Sequence, residues 1–238
     1  MLYRCEILLA LVIPFLHISF TKKVKYDYYV YAQQWPESVC VQALHTKQHK
    51  CSISNSTESW TVHGLWPSDF DDPMQPINCE SSAKFNVTLL EKIMPDLEAR
   101  WPNLYTDEKL TSFWSHEWYK HGTCALAAGA VKNELDYFTK ALNINKQLDI
   151  FNNLKKLNVP PLETRSYLYD DFVGALQKII GNKTVYLQCY HPRHQSGTDV
   201  LQIQICLDLN FKPMDCKVEH HSNCQAFPVN YPPIHHPY

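Results

Sequence analysis

YDYYVYAQQW, residues 26 to 35, decides how the rest of the chain is read. Four tyrosines, a valine and a tryptophan make it dense in β-forming side chains, so it reads as a strand. Two later stretches answer it. Trp60 to Leu65 alternates, and Val200 to Leu207 sets Leu201, Ile203, Ile205 and Leu207 against Gln202, Gln204 and Cys206, a strand with one buried face. Between and after them, Val87–Arg100, Asp107–His121, Asn133–Asp149 and Tyr167–Ile180 carry helical periodicity, with Gly122 and Gly181 where helices stop. The pattern predicts an α+β fold: an antiparallel β-sheet core with helices packed mainly on one side.

The chain has 238 residues, enough for one large domain, and 45% of them are hydrophobic, which excludes a disordered protein. A net charge of −2 supplies no global positive field to hold a polyanion, so any nucleic-acid contact has to be local, made by a few groups in a cleft. Arg4 precedes an apolar run from Ile7 to about Leu16, too short to span a bilayer and interrupted by Pro14. This predicts a signal peptide over residues 1–20, cut near Ser19 to Lys22, with no membrane span after its removal. The folded domain then covers residues 21–227. Residues 228–238, with four prolines, read as an extended tail whose His235 and His236 are solvated surface rather than metal ligands.

Nine cysteines become eight once Cys5 leaves with the signal: Cys40, Cys51, Cys79, Cys124, Cys189, Cys206, Cys216 and Cys224. An even number in a secreted chain implies four disulfides, and no close C-x-x-C pair supports zinc. Sequons at Asn55, Asn86 and Asn182 fit the same compartment as glycosylation sites.

FWSHEWYKHGTC, residues 113 to 124, is a near miss for a zinc-peptidase helix. That motif needs histidines four apart. Here they are five apart, which turns a regular helix by about 140°, so His116 and His121 do not share an ion. The spacing instead sets Lys120 one turn after His116 and His121 one turn after Glu117. A solvated charged face is the plain alternative, but Phe113, Trp114, Trp118 and Tyr119 crowd this helix and Cys124 ties its end. A partly buried helix presenting two imidazoles, a carboxylate and an ammonium describes a site.

Upstream, WTVHGLWPSDF places His63 beside Gly64, Trp66 and Pro67. Gly64 permits close backbone approach, and Trp66 offers a flat platform beside the imidazole. Two histidines that exchange protons near neutrality suit an in-line displacement at phosphorus.

At these residues the chain resembles the ribonuclease T2 family: WTVHGLWP and FWSHEWYKHGTC look like its two active-site segments, and YYVYAQQWP with Cys40 like its opening strand. The likeness is strongest from Tyr28 to Cys124, and the short loops and near-neutral charge are closer to animal members than to basic plant ones. It implies an endoribonuclease cleaving single-stranded RNA through a 2′,3′-cyclic phosphate, without metal or cofactor, with His63 and His121 as the acid–base pair. Glu117 and Lys120 would stabilise the phosphorane, His116 would bind phosphate, Trp66 would stack on a base and Gln34 would contact one. In the family His121 is commonly the base and His63 the acid. Ser68, Asp69 and Phe70 leave base preference open. The family's pairing joins Cys40 to Cys51, Cys79 to Cys124, Cys189 to Cys224 and Cys206 to Cys216. DNA, lacking the 2′-OH nucleophile, should not be cut. The expected protein is a monomer, secreted or lysosomal. A glycoprotein acting through receptor or actin contacts is the alternative.

Overall fold

A computed structural model describes residues 24–72, 75–192, 197–216 and 222–236. The expected signal peptide, with Cys5, lies outside the described residues.

The aromatic stretch forms β1 (Tyr28–Gln34), buried along its whole length. Pro36, fixed at the first turn, then opens α1 (Pro36–Thr46), which ends on Lys47 in the left-handed conformation. β2 (Thr61–Ser68) returns antiparallel to β1. A 3₁₀ segment (Val87–Ile93) leads into α2 (Met94–Arg100), so the expected single helix over 87–100 is two joined pieces. Its Asn86 start is a side-chain cap, with Oδ1 accepting from the Thr88 N–H at 3.1 Å.

The site helix departs most from expectation. α3 begins only at Ser112 (Ser112–Glu117), a π segment follows (Trp118–Gly122), and α4 (Thr123–Ala127) carries on past Gly122. Gly122 therefore does not stop the helix. A Cβ there would overlap the Trp118 ring, so glycine serves the close approach of that indole within a widened turn.

α5 (Glu134–Leu148) begins at the expected Asn133, whose Oδ1 accepts from the Asp136 N–H. After α6 (Ile150–Lys156) and the short β3 (Ser166–Tyr167) comes α7 (Tyr169–Ile179), closed by Gly181 with φ of 75°. β4 (Val185–Tyr190), β5 (Thr198–Leu207), β6 (Pro213–Met214) and β7 (Val229–Asn230) complete the chain.

Among the described residues seven strands form one sheet, with the path β2-β1-β5-β7-β3 and with β4 and β6 also on β5. All pairings are antiparallel except β5 with β7. β5 is thus central and buried on both faces, Gln202 and Gln204 included. The expectation of one buried face fails because both glutamines are buried, Gln202 against His63.

Residues 228–236 also depart from the tail reading. β7 joins the sheet, Tyr231 is fully buried, and its hydroxyl accepts from Trp60 Nε1 at 3.0 Å. His235 is not simply solvated: Nδ1 meets Glu37 Oε1 at 3.0 Å and Nε2 meets Glu163 Oε1 at 3.1 Å. His236 Nδ1 reaches the Ile53 carbonyl.

Four disulfides join Cys40–Cys51, Cys79–Cys124, Cys189–Cys224 and Cys206–Cys216, the pairing that the family resemblance implied.

Candidate active site

Five of the six tryptophans are buried in the core, and all six indole N–H groups have acceptors. A buried indole N–H left unpaired would cost about 1–3 kcal/mol, so these bonds help fix where the rings sit. Two run in series. Trp114 on α3 donates to the Trp101 carbonyl at 2.6 Å, and Trp101 donates to the His63 carbonyl at 3.1 Å. The site helix is thereby braced to the strand that carries His63.

Trp66, half-exposed, is the hub. Its ring lies 5.3 Å from His63, edge-on, and 5.3 Å from His121 on the other side, while Nε1 donates to Glu117 Oε2 at 2.8 Å. Gly64 makes this possible, because a Cβ there would overlap both Trp66 Nε1 and Glu117 Oε2. The close approach expected at Gly64 is made by these two side chains.

His63 and, more than fifty residues later in the sequence, Glu117 and His121 thus gather around one indole. Across α3 and the π turn, Glu117 and His121 are buried, His116 is exposed and Lys120 is half-buried. Gln34, His63, His116 and Glu117 line one cleft of about 430 Å³, together with Val39 of α1, Asn103, Leu104, Tyr105 and Phe113. Trp66, Lys120 and His121 stand beside this cleft rather than in its wall. Its outer wall hangs on Cys51: Ser52 N–H donates to the Leu104 carbonyl at 3.0 Å, Cys51 bridges to Tyr105, and the Cys40 disulfide ties that loop to α1.

The electrostatics are those of a site short of negative charge. Burial holds His63 below the usual imidazole range, offset by its bond to Gln202 and reinforced by the charges of His116 and Lys120. Burial first, then Lys120, His116 and His63, push His121 down to about 3. Burial and then Lys120 also lower His116. Glu117 goes the other way, raised by burial to about 8 despite the Trp66 bond and Lys120. Between those values the site holds a neutral Glu117 carboxyl and a neutral His121 imidazole beside Lys120. An incoming phosphate would supply the missing anion and draw protons onto the imidazoles.

Several participants were not singled out in the sequence. Gln202 accepts from His63 at Nδ1, and its own amide N–H donates to Gln188 Oε1 at 3.1 Å. The only sign was the polar face of the strand. Phe113, 5.6 Å from the His63 ring, stood inside the quoted motif but was named only among the aromatics that crowd the helix. Asn103 and Leu104 carried no signal of their own.

The Ribonuclease T2 family model matches residues 26–216. The oyster (Magallana gigas) protein ribonuclease Oy is 35% identical over 215 residues, covering 88% of this chain and 98% of that protein. The structure of human RNase T2 superposes with a TM-score of 0.71 at 29% identity, over 90% of this chain and all of the other. RNase NT, solved in complex with 5′-AMP, gives a TM-score of 0.75 at 26% identity, over 88% of this chain and all of the other. With the fold, the disulfides and these matches in agreement, the chain belongs to the ribonuclease T2 family and is a T2-type ribonuclease.

Proposed function

We propose that the protein is a secreted or lysosomal endoribonuclease that cleaves single-stranded RNA by acid–base transesterification, with His121 as the base and His63 as the acid. One observation carries the assignment: the two imidazoles are unequal at Nδ1. His63 has an acceptor there, the Gln202 carbonyl, whereas His121 Nδ1 is buried with no partner among the described residues. A buried N–H of an imidazolium without an acceptor costs more than one so paired. His121 therefore starts neutral and His63 starts with the proton.

In the first step His121 takes the proton of the ribose 2′-OH, the 2′-oxygen attacks phosphorus, and the bond to the 5′-oxygen breaks as His63 protonates it. In the second, His63 takes a proton from water, hydroxide opens the 2′,3′-cyclic phosphate, and His121 returns its proton to the 2′-oxygen. Glu117, neutral below about 8, donates a hydrogen bond to a phosphoryl oxygen, and Lys120 supplies positive charge. His116, exposed at the rim, meets a phosphate. Gln34 contacts a base in the cleft. Trp66 presents its open surface to another while its N–H holds Glu117.

The four disulfides need an oxidising compartment, and Asn55, Asn86 and Asn182 are all exposed for glycans, which supports the secretory route. The protein acts as a monomer.

The test is incubation of purified protein with a single-stranded RNA and its all-deoxy counterpart at mildly acidic pH, with EDTA present. Cyclic-phosphate ends on the RNA, intact DNA, and loss of cleavage in His63→Phe are expected. Uncut RNA, or cleavage unchanged in His63→Phe, would defeat the reading.

A further inference from the structure

We propose that Gln202, aimed by Gln188, is a positioning residue that holds a proton acceptor against Nδ1 of His63 and so allows this half-buried imidazole to become an imidazolium. The proposal rests on the reading of His63 as a proton carrier.

The strand register places the pair. Gln202 of β5 stands opposite Gln34 of β1 on one side and opposite Gln188 of β4 on the other, so one row of glutamines crosses three adjacent strands beneath the cleft. Gln202 is 5% exposed, in a strand whose neighbours Val200 and Ile203 are fully buried. An amide there costs free energy unless both its ends are bonded. Both are, and the bonds are directional. The NH₂ group is spent on Gln188 Oε1, so the carbonyl is what His63 meets.

That orientation is also the one that chemistry requires. An acid and a base both pass through the imidazolium, which carries N–H at both nitrogens. An amide NH₂ facing Nδ1 would then set two donors against each other. A carbonyl facing Nδ1 accepts in both states, fixes the neutral ring as the Nδ1–H tautomer and leaves Nε2 as the atom that exchanges protons. The other charged groups around His63 do not supply this. His116 and Lys120 oppose its protonation, burial holds both His121 and Glu117 neutral, and Glu108 sits on the cleft wall. Gln202 is the group that favours the charged ring.

The experiment follows His63 by NMR titration of its ring and measures kcat/KM against pH on a dinucleotide, in wild type, Gln202→Leu, Gln202→Glu and Gln188→Leu. Loss of the acceptor in Gln202→Leu should lower the titration midpoint of His63 and the alkaline limb of kcat/KM by about one pH unit, with activity near neutrality down about tenfold. Gln202→Glu, an acceptor with charge, should move both upward. Gln188→Leu, at an exposed position, should shift them in the same direction as Gln202→Leu but by about two- to threefold in activity.

A merely structural Gln202 would lower activity equally at every pH and leave the His63 midpoint in place, and that result overturns the proposal. So does Gln202→Glu shifting the midpoint downward, which would mean that His63 needs a donor. If Gln202→Leu does not fold, the other two variants decide, and an unmoved midpoint in both is a refutation. The NMR arm uses no RNA, so a wild type without ribonuclease activity would defeat the enzymatic reading while leaving the His63–Gln202 relation to be judged on its own.

Discussion

Glu117 concentrates the cost of the site in one side chain. It is buried to 1% exposure, bonded to an indole, and raised to about 8 from an ordinary value of 4.5. The folded state therefore holds a proton that the unfolded chain releases above pH 4.5, so folding loses stability as pH rises from 4.5 through about 8. Replacing Glu117 by Gln removes the titration and keeps the shape. Denaturant unfolding should find Glu117→Gln more stable than wild type at about pH 8, by on the order of 3 kcal/mol, with the gap closing towards about pH 4. Equal curves at both pH values would show that Glu117 ionises freely. His121 has the opposite sign, since its folded value near 3 lies below 6.5, and the stability it contributes is lost as pH falls through that interval. A site with both groups loses stability towards either end of the pH range.

The elements that position these residues were unequally legible. β1, β2, β5, α5 and α7 follow from side-chain periodicity and their caps, and His63, Glu117 and His121 from the spacing within two short motifs. The π turn at Trp118–Gly122 has no such signature, because it depends on Gly122 letting Trp118 close against the backbone. α1 was not singled out, although Pro36 is the favoured first residue of a helix. β4 carried a readable alternation, Val185, Leu187 and Cys189 inward. The two-residue strands β3, β6 and β7 are made by tertiary contacts alone.

β7 belongs to a strap that also closes a charge relation. His235 bridges Glu37 and Glu163, and its bond to Glu37, then burial, then the charge of Glu37 set a net rise above 6.5. The stability from this bridge is fully present below pH 6.5 and fades as pH rises through the raised value. With 54% of the side chain exposed, the contribution is modest. His235→Ala should destabilise the fold by about 0.5–1 kcal/mol at mildly acidic pH and by less above neutrality, as read by thermal unfolding at several pH values. A loss that grows with pH would contradict the bridge.

At the scale of the whole molecule, a polar reaction centre sits on an aromatic core held by indole hydrogen bonds and four disulfides. Trp114 to Trp101 to His63 braces the helix to the strand, Cys40–Cys51 anchors the cleft wall, and Cys79–Cys124 ties the start of α4 to the loop whose Asn78 N–H bonds the Lys120 carbonyl. Such bracing fixes groups before substrate arrives, which is where preorganised sites gain their rate. The central claim is that His121 takes the first proton and His63 gives the second. It is tested most directly with RNA whose scissile 5′-oxygen is replaced by sulfur, a leaving group that departs without being protonated. His63→Ala should cleave this substrate at close to the wild-type rate while remaining inactive on ordinary RNA, and His121→Ala should fail on both. Rescue of His121→Ala instead, or of neither variant, would contradict the account.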